Sequence, residues 1–232
     1  MKNIKIFVTY KDRHKILNSD IIKPIQTGRA IAEDVFDEML GDDTGDNISV
    51  LNENFCEATA IYWVWKHYEE IGNPEYIGFM HYRRHFLFGD KKYNPNFYGL
   101  VKFDDLNDDY LQNDLTSDEN IYKTASQFDA IIPQPIDISC SRCKTNYQQY
   151  KVCHRIEDYD KMMKIINEKF PEYSSALKKY NNSKYGYFLN MYILKKEIFF
   201  KCCEFIFGVL FELKSQISYN RDEYQNRVLG FL

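Results

Sequence analysis

The chain has 232 residues with 30 Lys plus Arg against 34 Asp plus Glu, a formal charge of −4 that excludes a generally basic nucleic-acid-binding protein. Apolar residues make up 44%, charged residues 28% and aromatic residues 16%, which is the balance of a globular protein and not of a disordered, collagenous or coiled-coil chain. No composition break divides the sequence, so one large domain over residues 1–232 is expected.

Residues 5–10 (Lys-Ile-Phe-Val-Thr-Tyr) are β-branched and aromatic and run into polar Lys11-Asp12-Arg13, the pattern of a buried strand ending in a loop. The amino terminus lacks a small-residue cleavage site, so no export signal is expected, and a cytoplasmic setting would keep the six cysteines as free thiols. Residues 21–26 read as extended, because Pro24 disfavours helix and Gly28 marks a turn beyond it; the acidic segment through Asp46 reads as loop. Asn54 and Glu57 have capping-box spacing at the start of a helix over 58–68, whose apolar side holds Ala58, Ile61, Tyr62, Trp65 and Tyr68 and whose stop is Gly72-Asn73-Pro74. Residues 76–80 (Tyr-Ile-Gly-Phe-Met) are a central strand, completing a strand-helix-strand α/β unit.

Residues 90–120 are rich in Tyr, Asn and Asp and read as an insertion or flap. A strand over 128–133 ends at proline, a helix over 156–170 follows the spacing of Ile156, Tyr159, Met162, Met163, Ile166 and Phe170, a late strand covers 187–194 and a long helix 197–217. The most apolar stretch, 198–213, contains Lys201 and Glu204 and falls short of the roughly 20 residues that span a bilayer, so it reads as a buried helix.

The densest polar cluster is His81-Tyr82-Arg83-Arg84-His85, immediately after the strand over 76–80, and in open α/β sheets ligands bind beyond the carboxyl ends of strands. If strand geometry continues, His81 and Arg83 point one way and Tyr82 and Arg84 the other. Two guanidiniums there suit a phosphate; pairing with surface carboxylates is the plainer alternative. A second cluster is Gly45-Asp46-Asn47-Ile48-Ser49 with Asn52, Asn54 and Glu57, suited to sugar hydroxyls or equally to turns and caps, with Asp46 and Asn47 exceeding the plain reading. Cys140-x-x-Cys143 with Cys153 and His154 raises zinc, but the adjacency of Cys153 and His154 and the lack of a second C-x-x-C argue against it. His154, in what reads as a polar loop after Tyr147-Gln-Gln-Tyr150, keeps a binding role open. Phosphate-loop, dinucleotide-binding and G-x-S-x-G motifs are missing, and Tyr62, Trp63, Trp65, Phe205, Phe207 and Phe211 are core candidates before they are sugar platforms.

The order of these segments resembles a bacterial family of domains of unknown function, DUF4422, associated with capsular and exopolysaccharide synthesis and grouped with nucleotide-sugar glycosyltransferases. The residues that carry the resemblance are Lys5-Ile-Phe-Val-Thr-Tyr10, Pro24-Ile-Gln-Thr-Gly28, Asp42-Asp-Thr-Gly-Asp-Asn-Ile-Ser49, Asn54-Phe-Cys-Glu-Ala-Thr-Ala-Ile-Tyr-Trp-Val-Trp-Lys66, Tyr76-Ile-Gly-Phe-Met-His-Tyr-Arg-Arg84, Asn190-Met-Tyr-Ile193 and Tyr224-Gln-Asn-Arg-Val-Leu-Gly-Phe231.

The resemblance implies an α/β fold of the GT-A-like (Rossmann-like) type, a mostly parallel central sheet flanked by helices. It further implies transfer of a sugar, galactose or galactofuranose, from a nucleotide-linked donor, UDP being the expected carrier, to a glycan or lipid-linked glycan of capsular, exopolysaccharide or O-antigen synthesis. Nucleic acid is not among the expected partners. The expected setting is the cytoplasm, with peripheral association at the inner face of the membrane compatible with such an acceptor, and more chain is expected beyond residue 231. On this reading Tyr10, Gln26, Gly28, Arg83, Arg84 and Arg227 border the donor, Asn47, His154 and Asn190 contact sugar or acceptor, and Glu57, Asp46 and His81 are the candidate catalytic groups. GT-A enzymes usually carry Asp-x-Asp where this chain has His81-Tyr82-Arg83-Arg84, so no cofactor is expected. Manganese held by Asp42-Asp43 or Asp108-Asp109 is the alternative. Two rival readings are a non-catalytic nucleotide- or carbohydrate-binding module and a scaffold docking through the helix over 198–213.

Overall fold

Strand β1 (Ile4–Tyr10) lies inside the sheet because it has apolar side chains for both faces: Ile4, Ile6, Val8 and Tyr10 enter one buried cluster and Phe7 the other. This computed structural model describes residues 3–96, 98–103, 105–106, 110–111, 114–219 and 222–232, and the side chain of Cys140 lies outside that description, as do Asp104, Asp108 and Asp109. Both neighbours of β1, β2 (Ile22–Gln26) and β4 (Tyr76–His81), run parallel to it. With β3 (Leu40–Gly41), β5 (Ala130–Ile131) and β8 (Tyr192–Lys195) the six-stranded order is β3-β2-β1-β4-β8-β5, and only β8 runs against the rest. The expected mostly parallel sheet is therefore present. Register sets Tyr10 beside Gln26 and Thr9 beside His81, so three parallel strands finish level at one edge.

Gly78 lets β8 close on β4: a Cβ there would stand 2.8 Å from the Ile193 side chain and 3.0 Å from the Tyr192 carbonyl oxygen. One face of the sheet is covered by α1 (Ala58–Lys66), α4 (Ile156–Lys169) and α6 (Lys196–Lys214), whose buried residues join Phe7, Ile77 and Phe79. The other face is covered by α2 (Asp118–Ala125) and by loop residues Leu17, Phe36, Met39 and Phe88. The remaining regular elements are α3 (Asn146–Cys153), α5 (Ser174–Asn181) and a two-stranded ribbon of β6 (Ile136–Asp137) and β7 (Tyr185–Gly186).

Several sequence expectations change. The helices over 58–68, 156–170 and 197–217 are present but shorter at their carboxyl ends, at Lys66, Lys169 and Lys214. The strand over 128–133 is only Ala130–Ile131, and residues 187–191 precede β8 as irregular chain because only 192–195 find a partner. The polar loop expected around Tyr147–Tyr150 is helix α3, started by Thr145, whose hydroxyl accepts the Gln148 amide at 3.2 Å. Helix α6 buries Phe199, Cys203, Phe207, Val209, Leu210 and Leu213 but leaves Ile198 and Phe211 exposed, so its burial is one-sided. Among the described residues no helix is long and apolar enough to cross a membrane, and Cys56, Cys143, Cys153, Cys202 and Cys203 are free thiols.

A buried carboxylate holds the turn after β2. Asp42 is fully buried and accepts the backbone amides of Gly28 at 2.8 Å and Arg29 at 3.0 Å together with the Ser49 hydroxyl. Gly28 is required there, since its φ is +65° and a Cβ would stand 2.6 Å from the Asn52 side chain. Asp42→Ala removes three charge-assisted bonds and strands two amides, so a loss of about 3 kcal/mol is expected in urea unfolding. That corresponds to a fall of roughly 6–12 °C in Tm for a chain of this size.

Candidate active site

The level ends of β1, β2 and β4 bring together side chains far apart in sequence. Asn52–Phe55 form one helical turn, then Cys56 takes a left-handed backbone conformation (φ 50°) before α1 begins. That break cancels the expected capping box: Asn54 donates its side-chain amide to the Asn226 carbonyl at 2.8 Å, and Glu57 makes no side-chain cap. Glu57 instead meets His81, with Oε1 2.9 Å from Nε2. Burial works to raise the Glu57 carboxyl, but the His81 hydrogen bond, the residue's own amide and the His81 and Arg227 charges outweigh it, leaving the group below its ordinary value.

Arg227 arrives from the carboxyl-terminal segment, its Nε–H donating to the Cys56 sulfur at 3.3 Å. Burial pushes the Cys56 thiol up against the opposing pull of Arg227 and of Lys11, which follows β1 directly. Glu57, His81 and Arg227 are thus one constellation, with Cys56 and Lys11 beside it.

Strand geometry stops at His81. Residues 81–84 form a tight turn in which the His81 amide donates to the Arg84 carbonyl at 3.0 Å and the Arg84 amide to the His81 carbonyl at 2.9 Å, so the expected alternation through Arg84 does not hold. The turn exposes Arg83 and Arg84, and among the described residues neither guanidinium has a carboxylate partner. Tyr82 is a platform for one of them: His14 stacks on its ring at 4.1 Å and the Arg83 guanidinium stands 5.2 Å from its centroid.

Tyr82, Arg83, Arg84 and His85 line an open cleft of about 960 Å³, with His14 and Lys15 on the β1 side and residues 98–103 opposite. Its size is that of a site for a small molecule with several groups. Lys15 pairs with Asp105 at 2.8 Å across this region. Asn190 is exposed between Leu189 and Met191, two residues of the cleft wall.

Other sequence-derived candidates are committed elsewhere. Tyr10 is fully buried, with its hydroxyl accepting the Leu17 amide at 3.1 Å; Gln26 is fully buried, accepting the Phe36 amide at 2.9 Å and donating to the Asp34 carbonyl at 2.6 Å. Both shape the strand ends from inside and present no side chain to a ligand. Gly28 contributes only its turn, through the amide held by Asp42. Asp46 accepts the Tyr62 hydroxyl at 3.0 Å, and burial together with this bond pushes that phenol up to about 12. Asn47 is turn chemistry, bonding the Asp43 and Gly45 carbonyls and the Ser49 amide. His154 packs against Tyr150, Tyr224 and Phe231, with burial lowering its ring; it supports the segment that carries Arg227.

Asp42 has no free oxygen for a cation, Asp108 and Asp109 lie outside the described residues, and among those described no group of three or more His, Cys, Asp or Glu could hold a metal ion. The turn after β4 carries the guanidiniums of Arg83 and Arg84, whose charge does not suit a cation. Sequence reasoning missed Lys11, His14, Lys15 and Tyr110. The first three follow the carboxyl end of β1, where the strand-end rule could have pointed.

The fold is of the glycosyltransferase type. Over 99% of its length the chain superposes with a TM-score of 0.91 and 34% identity on the apo structure of the bifunctional glycosyltransferase WbbM, of which it covers 40%. The chain belongs to the family described as Domain of unknown function (DUF4422), matched over residues 5–232. No curated protein matches it.

The depressed Glu57 carboxyl has a consequence for acid stability. Its contribution is present above its ordinary value of 4.5 and is lost as pH falls through the lower folded value. Glu57→Gln therefore flattens the fall in Tm between about pH 5 and pH 3 relative to wild type, as read by thermal melts across that range.

Proposed function

We propose that the chain is a hexosyltransferase that moves galactose or galactofuranose from a UDP-linked donor to a hydroxyl of a bacterial glycan, in capsular, exopolysaccharide or O-antigen synthesis on the cytoplasmic side of the membrane. The observation that carries this reading is a carboxylate-imidazole pair, Glu57 and His81, placed at one strand end beside two guanidiniums that no described carboxylate neutralises. The likeness to a glycosyltransferase supports the reaction class.

The chemistry follows from charge. Cleaving the sugar-diphosphate bond builds negative charge on the leaving phosphate, and Arg83 and Arg84, which pair with no carboxylate among the described residues, line the cleft where it would be received. Arg227 lies near enough to Glu57 to bear on its ionisation and can approach the same anion from the carboxyl-terminal side. Glu57 and His81 form the acid-base element, since an acceptor hydroxyl must lose a proton as it attacks. Asn190, exposed at the wall, is placed for a sugar contact. Asp46 and Asn47 are left with structural duties. Guanidiniums in place of Asp-x-Asp make a divalent ion dispensable.

Calorimetric titration of UDP, GDP, CMP and their sugar conjugates in EDTA tests this. UDP is expected to bind without metal, weakened about tenfold or more in Arg83→Ala and in Arg84→Ala, since each removes a charge-assisted bond. Wild type that binds no nucleotide would sink the donor-site reading, and binding or turnover that needs manganese would sink the metal-independent part.

A further inference from the structure

Two imidazoles at the end of β4 each spend one ring nitrogen on the protein and leave the other buried with no partner among the described residues. His81 gives Nε2 to Glu57 at 2.9 Å and leaves Nδ1; His85 gives Nδ1 to the Tyr110 hydroxyl at 2.9 Å and leaves Nε2. Buried polar atoms without partners are uncommon, and where they occur they mark places for a water or for a ligand's polar group. The tight turn over 81–84 joins the two residues, and the rings are near enough for the charge of His81 to bear on His85.

The partners decide which nitrogen carries the hydrogen. An ionised Glu57 only accepts, so His81 turns an N–H on Nε2 toward it, and in the neutral ring the lone pair is then on Nδ1. On the other ring, His85 Nδ1 meets the Tyr110 hydroxyl; where the phenol donates to it, the imidazole hydrogen sits on Nε2. Burial, aided by the His81 charge, pushes His85 down to about 4, so this ring stays neutral and acts as a donor and not as a base. With the phenol donating to His85 Nδ1, the end of β4 offers one acceptor nitrogen and one N–H donor. A hydroxyl, which gives one hydrogen bond and takes others, is complementary to that pair.

We propose that His81 Nδ1 and His85 Nε2–H together hold the acceptor hydroxyl, with His81 as the general base and Tyr110 as the positioning residue that fixes the His85 tautomer. The inference rests on the transferase reading and names the atoms that the nucleophile uses. In the transfer step the hydroxyl O–H bond breaks and its proton passes to His81 Nδ1. The freed oxygen pair forms the bond to the anomeric carbon, and the bond from that carbon to the diphosphate breaks with its electrons staying on the leaving phosphate. The imidazolium that results faces the Glu57 carboxylate.

Two measurements test it. In the full chain labelled with ¹⁵N-histidine, whose five rings are assigned by single replacements, both His81 and His85 are expected to carry hydrogen on Nε2. Either ring protonated on Nδ1 instead overturns the proposal without reference to any substrate. In the second, water stands in for the acceptor hydroxyl, and UDP release from UDP-galactose is followed alongside calorimetric UDP binding for each variant. His81→Ala is expected to slow release about 100-fold, with partial recovery in added imidazole, while UDP affinity is kept. His85→Phe is expected to slow release about tenfold at unchanged UDP affinity, and His85→Gln, which restores an N–H, to recover it. Undiminished release in His85→Phe overturns the proposal. Wild type that binds neither UDP nor UDP-galactose rejects the donor-site reading instead, and the proposal with it, so the two failures are told apart.

Discussion

Parallel pairing of β1 with both β2 and β4 is the constraint on which the rest depends. A strand apolar on both faces must be covered on both, and parallel neighbours force each connection back over the sheet. The return puts α1 on one face and the Leu17-Phe36-Met39 loops on the other. The same register ends three strands level, so whatever follows them meets at one edge: Lys11, His14 and Lys15 after β1, the Gly28 turn after β2, and His81 to His85 after β4. The net charge of −4 conceals this local arrangement, in which cationic groups gather around an opening. An anion approaching the edge meets guanidiniums that no carboxylate among the described residues neutralises.

A local strain makes the carboxylate available. A non-glycine residue in the left-handed region costs of order 1–3 kcal/mol, and Cys56 is held there by its neighbours. The Asn52 side-chain amide donates to the Cys56 carbonyl at 2.8 Å, the Thr59 hydroxyl donates to the same oxygen at 3.1 Å, and Arg227 meets the sulfur. Without this kink, Asn54 and Glu57 would share one helix start and the carboxylate would be drawn to a cap. With it, Glu57 faces β4. The strained turn, the carboxyl-terminal segment and the strand end are therefore one mechanical unit, in which Arg227 touches both the kink and the electrostatics of the carboxylate.

Much of the frame was legible because it is written in local periodicity. Phe7 opposed to Ile6 and Val8, the three-to-four-residue repeat of α1, and the apolar run of β4 each report a face that must be buried. The elements that escaped lack such a face: α3 is mostly polar and buries little beyond Asn146 and Tyr150, and residues 187–191 look like strand yet have no partner. For the site, the cluster from His81 to His85 stood out because its residue types are costly to leave unused beside a strand end. Tyr10, Gln26 and Asn47 were drawn from the same logic of position, and their polar atoms are spent on the fold, while Asp46 accepts one bond from Tyr62 and stays largely exposed. Sequence spacing shows that a polar group is near an edge and not whether the protein has already satisfied it.

By itself the sequence determined the class of fold, the central strands and the cationic segment that follows β4, since each depends on neighbours within a few residues. Only the tertiary structure decided that Glu57 would leave its cap for His81, that Arg227 would close on Cys56 from 171 positions away, and that Tyr110 would meet His85. The physical reason is that a hydrogen bond requires a few tenths of an ångström of precision between groups brought together by folding. Periodicity along the chain sets which face a residue takes, and only the packed sheet edge sets which partner it meets there.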